Sequence, residues 1–199
     1  MSVIRKVREV EKVFADLEKE MNILRHSSGL HCVAGCGKCC FKPEIEASPV
    51  EFLPYALHLL RNEKIEEVYD KLLQNTSTQC TLFSPVWGSD MKGACSEYPY
   101  RGLICRLFGY AASRGMDGEA KLVTCRIIKE GQSSIVAKIE ADLKEDKASV
   151  PLMSDYYFRI RSIDPDLGTK LLPINKAIQT ALEVVMSYYA YRDAPSSEE

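Results

Sequence analysis

The chain has 199 residues, 46% of them hydrophobic and 27% charged, an ordinary globular balance that excludes disorder over most of its length. Its 26 basic and 28 acidic residues leave a formal net charge of −2, so the basic face of a nucleic-acid-binding domain is not expected. A chain this long buries enough apolar surface to fold without cross-links, so its eight cysteines call for another explanation.

The first 28 residues read as one helix. Val3, Val7, Val10, Phe14, Leu17, Met21 and Leu24 recur at alternating spacings of four and three, with Lys and Glu among the positions between them. Such a stripe faces either the chain's own core or a partner, which includes a homodimer through this N-terminal helix. Gly29 is placed to cap it. The charged N-terminus lacks the apolar run of an export signal, and no stretch approaches the roughly 20 apolar residues that span a bilayer. The expected location is therefore the cytoplasm, with neither a membrane nor a nucleic acid as partner.

The segment His31 to Cys40 is rich in glycine and cysteine and has no period, so it reads as a loop. Ser48-Pro49-Val50-Glu51 is a helix start, with Ser48 capping, Pro49 in the first turn and Glu51 completing a capping box. Residues 49–61 and 63–75 follow as helices, with a break or kink at Pro54. The chain from 80 to 100 is irregular. Leu103–Ala112 and Lys121–Ile128 are β-compatible and flank the turn-rich residues 113–119, which predicts a β-hairpin. Residues 133–146 and 174–190 carry helical periods, and the tail from 194 frays.

The cysteines are Cys32, Cys36, Cys39, Cys40, Cys80, Cys95, Cys105 and Cys125. Four fall within nine residues, which is how a loop-built metal site begins, with remote segments closing it. A reducing cytoplasm disfavours the alternative of structural disulfides. A second alternative, cysteines buried as small hydrophobes, does not explain the clustering among glycines. Sulfur ligation suits an iron–sulfur cluster or zinc alike. Adjacent Cys39 and Cys40 either serve two different centres or divide into one ligand and one supporting residue; eight thiolates suffice for two four-cysteine sites or for one site with four spare. Thiolate charge needs compensation. Arg101 and Arg106 are the candidate cofactor-binding cations, with Lys38, Lys42 and Arg126 nearby, while Gly35 and Gly37 let amides approach sulfur. His31 is a weak candidate ligand; His26 and His58 sit on helices. Trp87 and Tyr98 read as a hydrophobic wall, Glu97 and Asp90 as loop carboxylates.

Cys32-x3-Cys36-x2-Cys39 has the spacing of radical S-adenosylmethionine enzymes, but a helix precedes it here, Lys38 stands where those enzymes commonly have an aromatic, and no alternation of strand and helix follows. A second pattern accounts for all eight cysteines in order. Cys-x3-Cys-Gly-Lys-Cys-Cys, then Cys80-Thr-Leu-Phe83, then Cys95 with Tyr98 three residues on, Arg101, Cys105-Arg106 and finally Cys125 resemble the YkgJ-type cysteine-cluster family over residues 32–126. The first gap is three residues here where the family has two, and Gly102 stands where the family has proline. The resemblance implies a zinc- or iron-chelating domain with these eight cysteines as ligands. A related domain in flagellin lysine N-methylases implies protein modification as one role.

The expectation is an α+β, mainly helical protein: helices around an irregular cysteine-rich metal-binding core with a short β-hairpin. An N-terminal amphipathic helix (1–28) leads into the cysteine-cluster domain (29–130), C-terminal helices (131–193) pack on it, and a tail (194–199) ends the chain. Three functions stay open: a carrier of an iron–sulfur cluster or zinc, a structural zinc domain that binds proteins, and a cluster-dependent group-transfer enzyme, methylase-like or radical S-adenosylmethionine-like.

Overall fold

A computed structural model describes residues 1–86, 93–145 and 147–193. Trp87, Asp90, residue 146 and the tail from 194 lie outside the described residues. Helix α1 spans Val3–Ser28 and ends on Gly29, whose left-handed backbone (φ 76°) puts its N–H on the Arg25 carbonyl. All seven stripe residues are buried, joined by Val13. They pack against α2 (Leu53–Arg61) and α7 (Met153–Ile163), so the heptad pattern faces this chain's own core.

The centre of that core is built from residues 49–61. A buried 3-10 turn, Pro49–Phe52, runs directly into α2. Pro54 lies in the first turn of α2, where its missing N–H leaves no helical bond unmade, so the predicted break is a change from 3-10 to α winding. Leu53, Pro54, Tyr55, Ala56, Leu57 and Leu59 are all buried, as expected of a helix enclosed on most sides. Helix α9 (Ile174–Tyr189) lays Ala177, Ile178, Ala181, Leu182 and Val185 against this turn, against α2 and against α3 (Ile65–Gln74). Phe52, Leu53, Leu103 and Leu182 are fully enclosed, and each such side chain contributes about 1.5–3 kcal/mol through burial.

The strands are short antiparallel pairs. Strand β1 (Glu46–Ala47) pairs with β6 (Leu172–Pro173), joining the exit of the cysteine loop to the start of α9. Strands β2 (Phe83–Pro85) and β3 (Gly93–Cys95) pair with Phe83 opposite Cys95. Strands β4 (Ala111–Arg114) and β5 (Ala120–Val123) form the predicted hairpin, turning through Gly118 at φ 80°. The hairpin is shorter than the sequence suggests. Leu103–Leu107 is helical (α4), because the Leu103 amide is capped from outside its own segment and Leu103 and Leu107 point into the core on one helical face. Beyond β5 the chain enters α5 (Arg126–Gly131) and α6 (Ser133–Lys144). Helix α7 is followed by the short α8 (Pro165–Gly168), whose first amides donate to the Asp164 carboxylate. The result is the mainly helical α+β arrangement expected.

Candidate metal centre

The cysteine loop is held at two places. Its first half is anchored on the α5 side of the molecule. The Cys32 amide donates to the Tyr110 hydroxyl at 2.8 Å, and Arg25 stacks over the Tyr110 ring at 4.4 Å. His31 exchanges two backbone bonds with the Gln132 side chain at the end of α5. Cys125 caps the other end of α5, its sulfur 3.5 Å from the Ile128 amide.

The second half is anchored on the β2–β3 pair. The Gly93 amide donates to the Gly35 carbonyl at 3.2 Å. Gly37 has φ 60°, and a Cβ there would come within 2.9 Å of the Phe83 ring and 3.0 Å of the Gly93 amide nitrogen. Gly93 is tighter still, since a Cβ on it would stand 2.4 Å from that ring. Phe41 closes the contact edge-on, its ring centroid 4.8 Å from that of Phe83. Two tight turns order the thiols: the Cys36 amide reaches the Val33 carbonyl and the Cys40 amide the Gly37 carbonyl, at 3.2 and 2.8 Å.

Behind the loop lies a polar buried group, Glu51. One carboxylate oxygen receives the Ser48 amide and hydroxyl, completing the capping box, and the other receives the Leu103 amide at 2.6 Å. Burial raises the Glu51 pKa, and the Ser48 and Leu103 donors partly offset it. This carboxylate starts α4, and α4 carries Cys105. A Cβ on Gly102 would crowd Phe52 at 3.0 Å and Glu51 at 3.1 Å, which explains why a glycine stands before α4.

All eight cysteines are free thiols, with Cys32 and Cys39 exposed and the rest half-buried. The Sγ atoms of Cys39 and Cys40 are 4.0 Å apart. Burial pushes Cys80 up to about 11 and Cys105 up to about 12, with further upward contributions from neighbouring thiols. Cys32 and Cys95 are raised mainly by burial as well. The Cys39–Cys40 hydrogen bond acts in opposite senses on its two ends. It draws Cys39 down to about 6, helped by the Arg101 charge, and drives Cys40 upward. Without a cation, crowding in a low dielectric favours protonated sulfur; a bound metal supplies the missing positive charge.

The two arginines are placed differently. Arg106 is buried, donates to the Arg101 and Pro99 carbonyls, and lies over the Phe14 ring at 4.2 Å. Burial and the neighbouring Arg101 lower its pKa to about 10. Its donors secure the turn before α4, while its charge still bears on Cys95. Arg101 lies over Tyr98 at 4.0 Å, with Glu18 at 3.8 Å, and its charge favours the thiolates of Cys39 and Cys95. Its Nε is buried and has no hydrogen-bond partner among the described residues. An orphaned N–H beside thiols fits a sulfur acceptor of a bound group.

The other candidates are engaged elsewhere or exposed. His31 has its ring nitrogen on the Gly29 carbonyl at 2.9 Å, and His58 stacks on Tyr100. Arg126 is exposed and pairs with Glu130; Lys38 and Lys42 are exposed. Among the described residues no three His, Cys, Asp or Glu side chains stand close enough to grip one ion as placed. The donor set nevertheless suits a soft metal, being sulfur throughout. Sequence reasoning missed Tyr110 and Gln132, which hold the loop, the packing role of Phe83 in the quoted motif, and the second role of Glu51. Only the Glu51 capping box left a local signal.

The comparisons agree with this chemistry. The model of the CxxCxxCC family, described as "Putative zinc- or iron-chelating domain", matches residues 31–131. No curated protein and no solved structure matches the chain.

Proposed function

Starting from the fact that this chain belongs to the CxxCxxCC family, we propose that its clustered thiolates hold iron in an iron–sulfur cluster. The observation that carries the reading is the spacing of the thiols. A single tetrahedral zinc, with Zn–S bonds of about 2.3 Å, needs its sulfurs drawn together. Among the described residues no three candidate ligand side chains are gathered that closely, although the thiols sense one another's charge. A cuboidal cluster takes each thiolate on a different iron and so accommodates wider separation. The orphaned Arg101 Nε supports the same reading, since N–H donors to cluster sulfur tune such centres. When bound, the group supplies one-electron redox chemistry. The chain's own residues position the thiols, through the glycine turns and Glu51, and offset their charge through Arg101 and Arg106. Such a role belongs in a reducing compartment such as the cytoplasm, where the thiols remain available.

Anaerobic purification followed by metal and sulfide analysis and a visible spectrum tests this directly. Brown protein with stoichiometric iron and sulfide, bleaching on reduction, is the expected result. Colourless protein with stoichiometric zinc and no sulfide overturns it in favour of a structural zinc domain. Of the two alternatives, zinc is the one the paired turns ending at Cys36 and Cys40 favour, since they resemble the loops that present ligands to structural zinc.

A further inference from the structure

We infer that Glu18, on α1 and outside the residues that match the family, is a positioning residue of the metal centre: it sets how the Arg101 guanidinium stands beside the thiols. This deepens the proposed metal-binding role and rests on it.

Phe14, Glu18 and Arg25 follow one another at spacings of four and seven, so they share one face of α1. Each of the three meets a different residue of the stretch that carries Cys105. The Arg106 guanidinium lies over the Phe14 ring at 4.2 Å. The Arg101 Nη2 stands 3.8 Å from Glu18 Oε2, and Arg25 lies over the Tyr110 ring at 4.4 Å. Helix α1 supplies no thiol, and the family match starts at residue 31. Its Phe14–Arg25 face nevertheless holds both arginines of the site.

Glu18 is the centre of that face, and its two carboxylate oxygens are divided. Oε1 accepts from Arg25 Nη1 at 2.8 Å, while Oε2 faces Arg101. Arg25 also donates to Asn22 Oδ1 at 2.9 Å. The Tyr110 under Arg25 accepts from the Cys32 amide. One carboxylate therefore reaches the cysteine site by two routes: through Arg25 and Tyr110 to the start of the loop, and directly to Arg101.

Two contacts suffice to orient Arg101, because a guanidinium is planar. The Tyr98 ring at 4.0 Å sets its plane, and Glu18 on Nη2 sets its rotation within that plane. Tyr98 is exposed, so the ring alone is a loose support. The nitrogen left over is Nε, buried and without a hydrogen-bond partner among the described residues. Glu18 holds one nitrogen of the guanidinium and leaves this other one for the bound group. The Glu18 side chain is 38% exposed, so the ion pair adds little to stability. Its effect falls on the direction of the Arg101 N–H.

Full-length protein carrying isotope-labelled arginine is isolated anaerobically with its native metal. Exchange of the arginine Nε–H groups with water is then measured by NMR in wild type and in Glu18→Gln, with Arg101→Lys identifying the Arg101 signal. Expected is exchange about fivefold faster at Arg101, the scale of one part-exposed ion pair, with Arg106 unchanged. Arg106 is the internal control, since its Nε donates to the Arg101 backbone carbonyl and does not depend on where the Arg101 side chain points. The second readout is the midpoint potential. Loss of the Glu18 charge alone raises it, whereas release of the Arg101 charge and donor from the thiols lowers it. A fall is expected in Glu18→Gln, and a rise when the same substitution is made in an Arg101→Lys background. Unchanged exchange at Arg101, equally faster exchange at Arg101 and Arg106, or a potential that stays or rises in Glu18→Gln overturns the assignment. Wild-type protein with no reversible couple overturns the iron–sulfur reading instead, and the arginine exchange still decides the role of Glu18.

Discussion

The two halves of the cysteine loop differ in how they are held. The first half hangs from two side chains, Tyr110 and Gln132, and leaves Cys32 in solvent. The second half is wedged in a close contact of Gly37, Gly93 and Phe83, where no extra carbon fits. One half rests on single hydrogen bonds, each with a modest net contribution, and the other on excluded volume, which does not relax gradually. The Cys32 end of the loop is thus lightly held, while the stretch around Gly37 stays registered on the core.

The largest effect is expected at the buried Glu51, which holds the starts of the 3-10 turn and of α4. Glu51→Ala strands the Ser48 and Leu103 amides in the core, and a stability loss of about 3 kcal/mol is expected, read as a lower urea midpoint. Cys105 becomes rapidly alkylated in the same variant, because α4 loses the group that fixes its start. Gly37→Ala tests the wedge itself. A left-handed alanine costs about 1–2 kcal/mol, and its Cβ meets the Phe83 ring at 2.9 Å. The expected signature is faster labelling of Cys39 and Cys40 with only a small shift in global unfolding. Gly35→Ala is the control: its φ of 67° imposes similar strain, but a Cβ there meets nothing within 4 Å. Equal labelling of the two variants would remove the wedge from the account.

Tyr110→Phe probes the lighter tether. Loss of the bond from the Cys32 amide is expected to cost about 1 kcal/mol and to speed labelling of Cys32 while leaving Cys105 protected. The smallest effect is expected far from the thiols, at the Lys6–Asp164 pair between α1 and the start of α8. Burial alone would raise the Asp164 pKa, but the Lys6 bond, the Leu167 and Asp166 amides and the Lys6 charge bring it below the ordinary aspartate value. A carboxylate depressed in the folded state contributes stability that is complete above the unfolded pKa of about 3.9 and is lost as pH falls through the folded value. Asp164→Asn should therefore lower the urea midpoint at pH 7 and narrow the gap to wild type toward pH 3, by about 1 kcal/mol at most for a partly screened pair. Thiol protection at neutral pH should not change.

Much of the scaffold was legible because its signals are local. The α1 stripe, the Gly29 cap, the Ser48–Glu51 box, the turn-rich stretch 113–119 and the helices α6 and α9 each follow from spacing within a few turns of chain. Leu103–Leu107 was not legible. Its apolar residues suit either period, and the group that made it helical is Glu51, half a hundred positions away. The β2–β3 pair was hidden for a similar reason, since Phe83 and Gly93 reveal their purpose only when Gly37 sits between them.

The sequence by itself determined the donor set, eight sulfurs with four of them in one loop and cations and glycines beside them, and with it membership of the CxxCxxCC family. It also determined the long amphipathic helix, whose apolar face had to be covered. Only the tertiary structure decided what covers that face, namely α2 and α7 of the same chain. It alone decided which arginine is tied to backbone carbonyls and which keeps a free buried N–H. It alone tied the start of the loop to Gln132 at the end of α5, and Phe41 to the Phe83 ring that stands opposite Cys95. The physical reason is range. Helix periods, caps and ligand types are set by neighbours in sequence, whereas the anchoring of the cysteine loop depends on contacts that exist only after the core has closed.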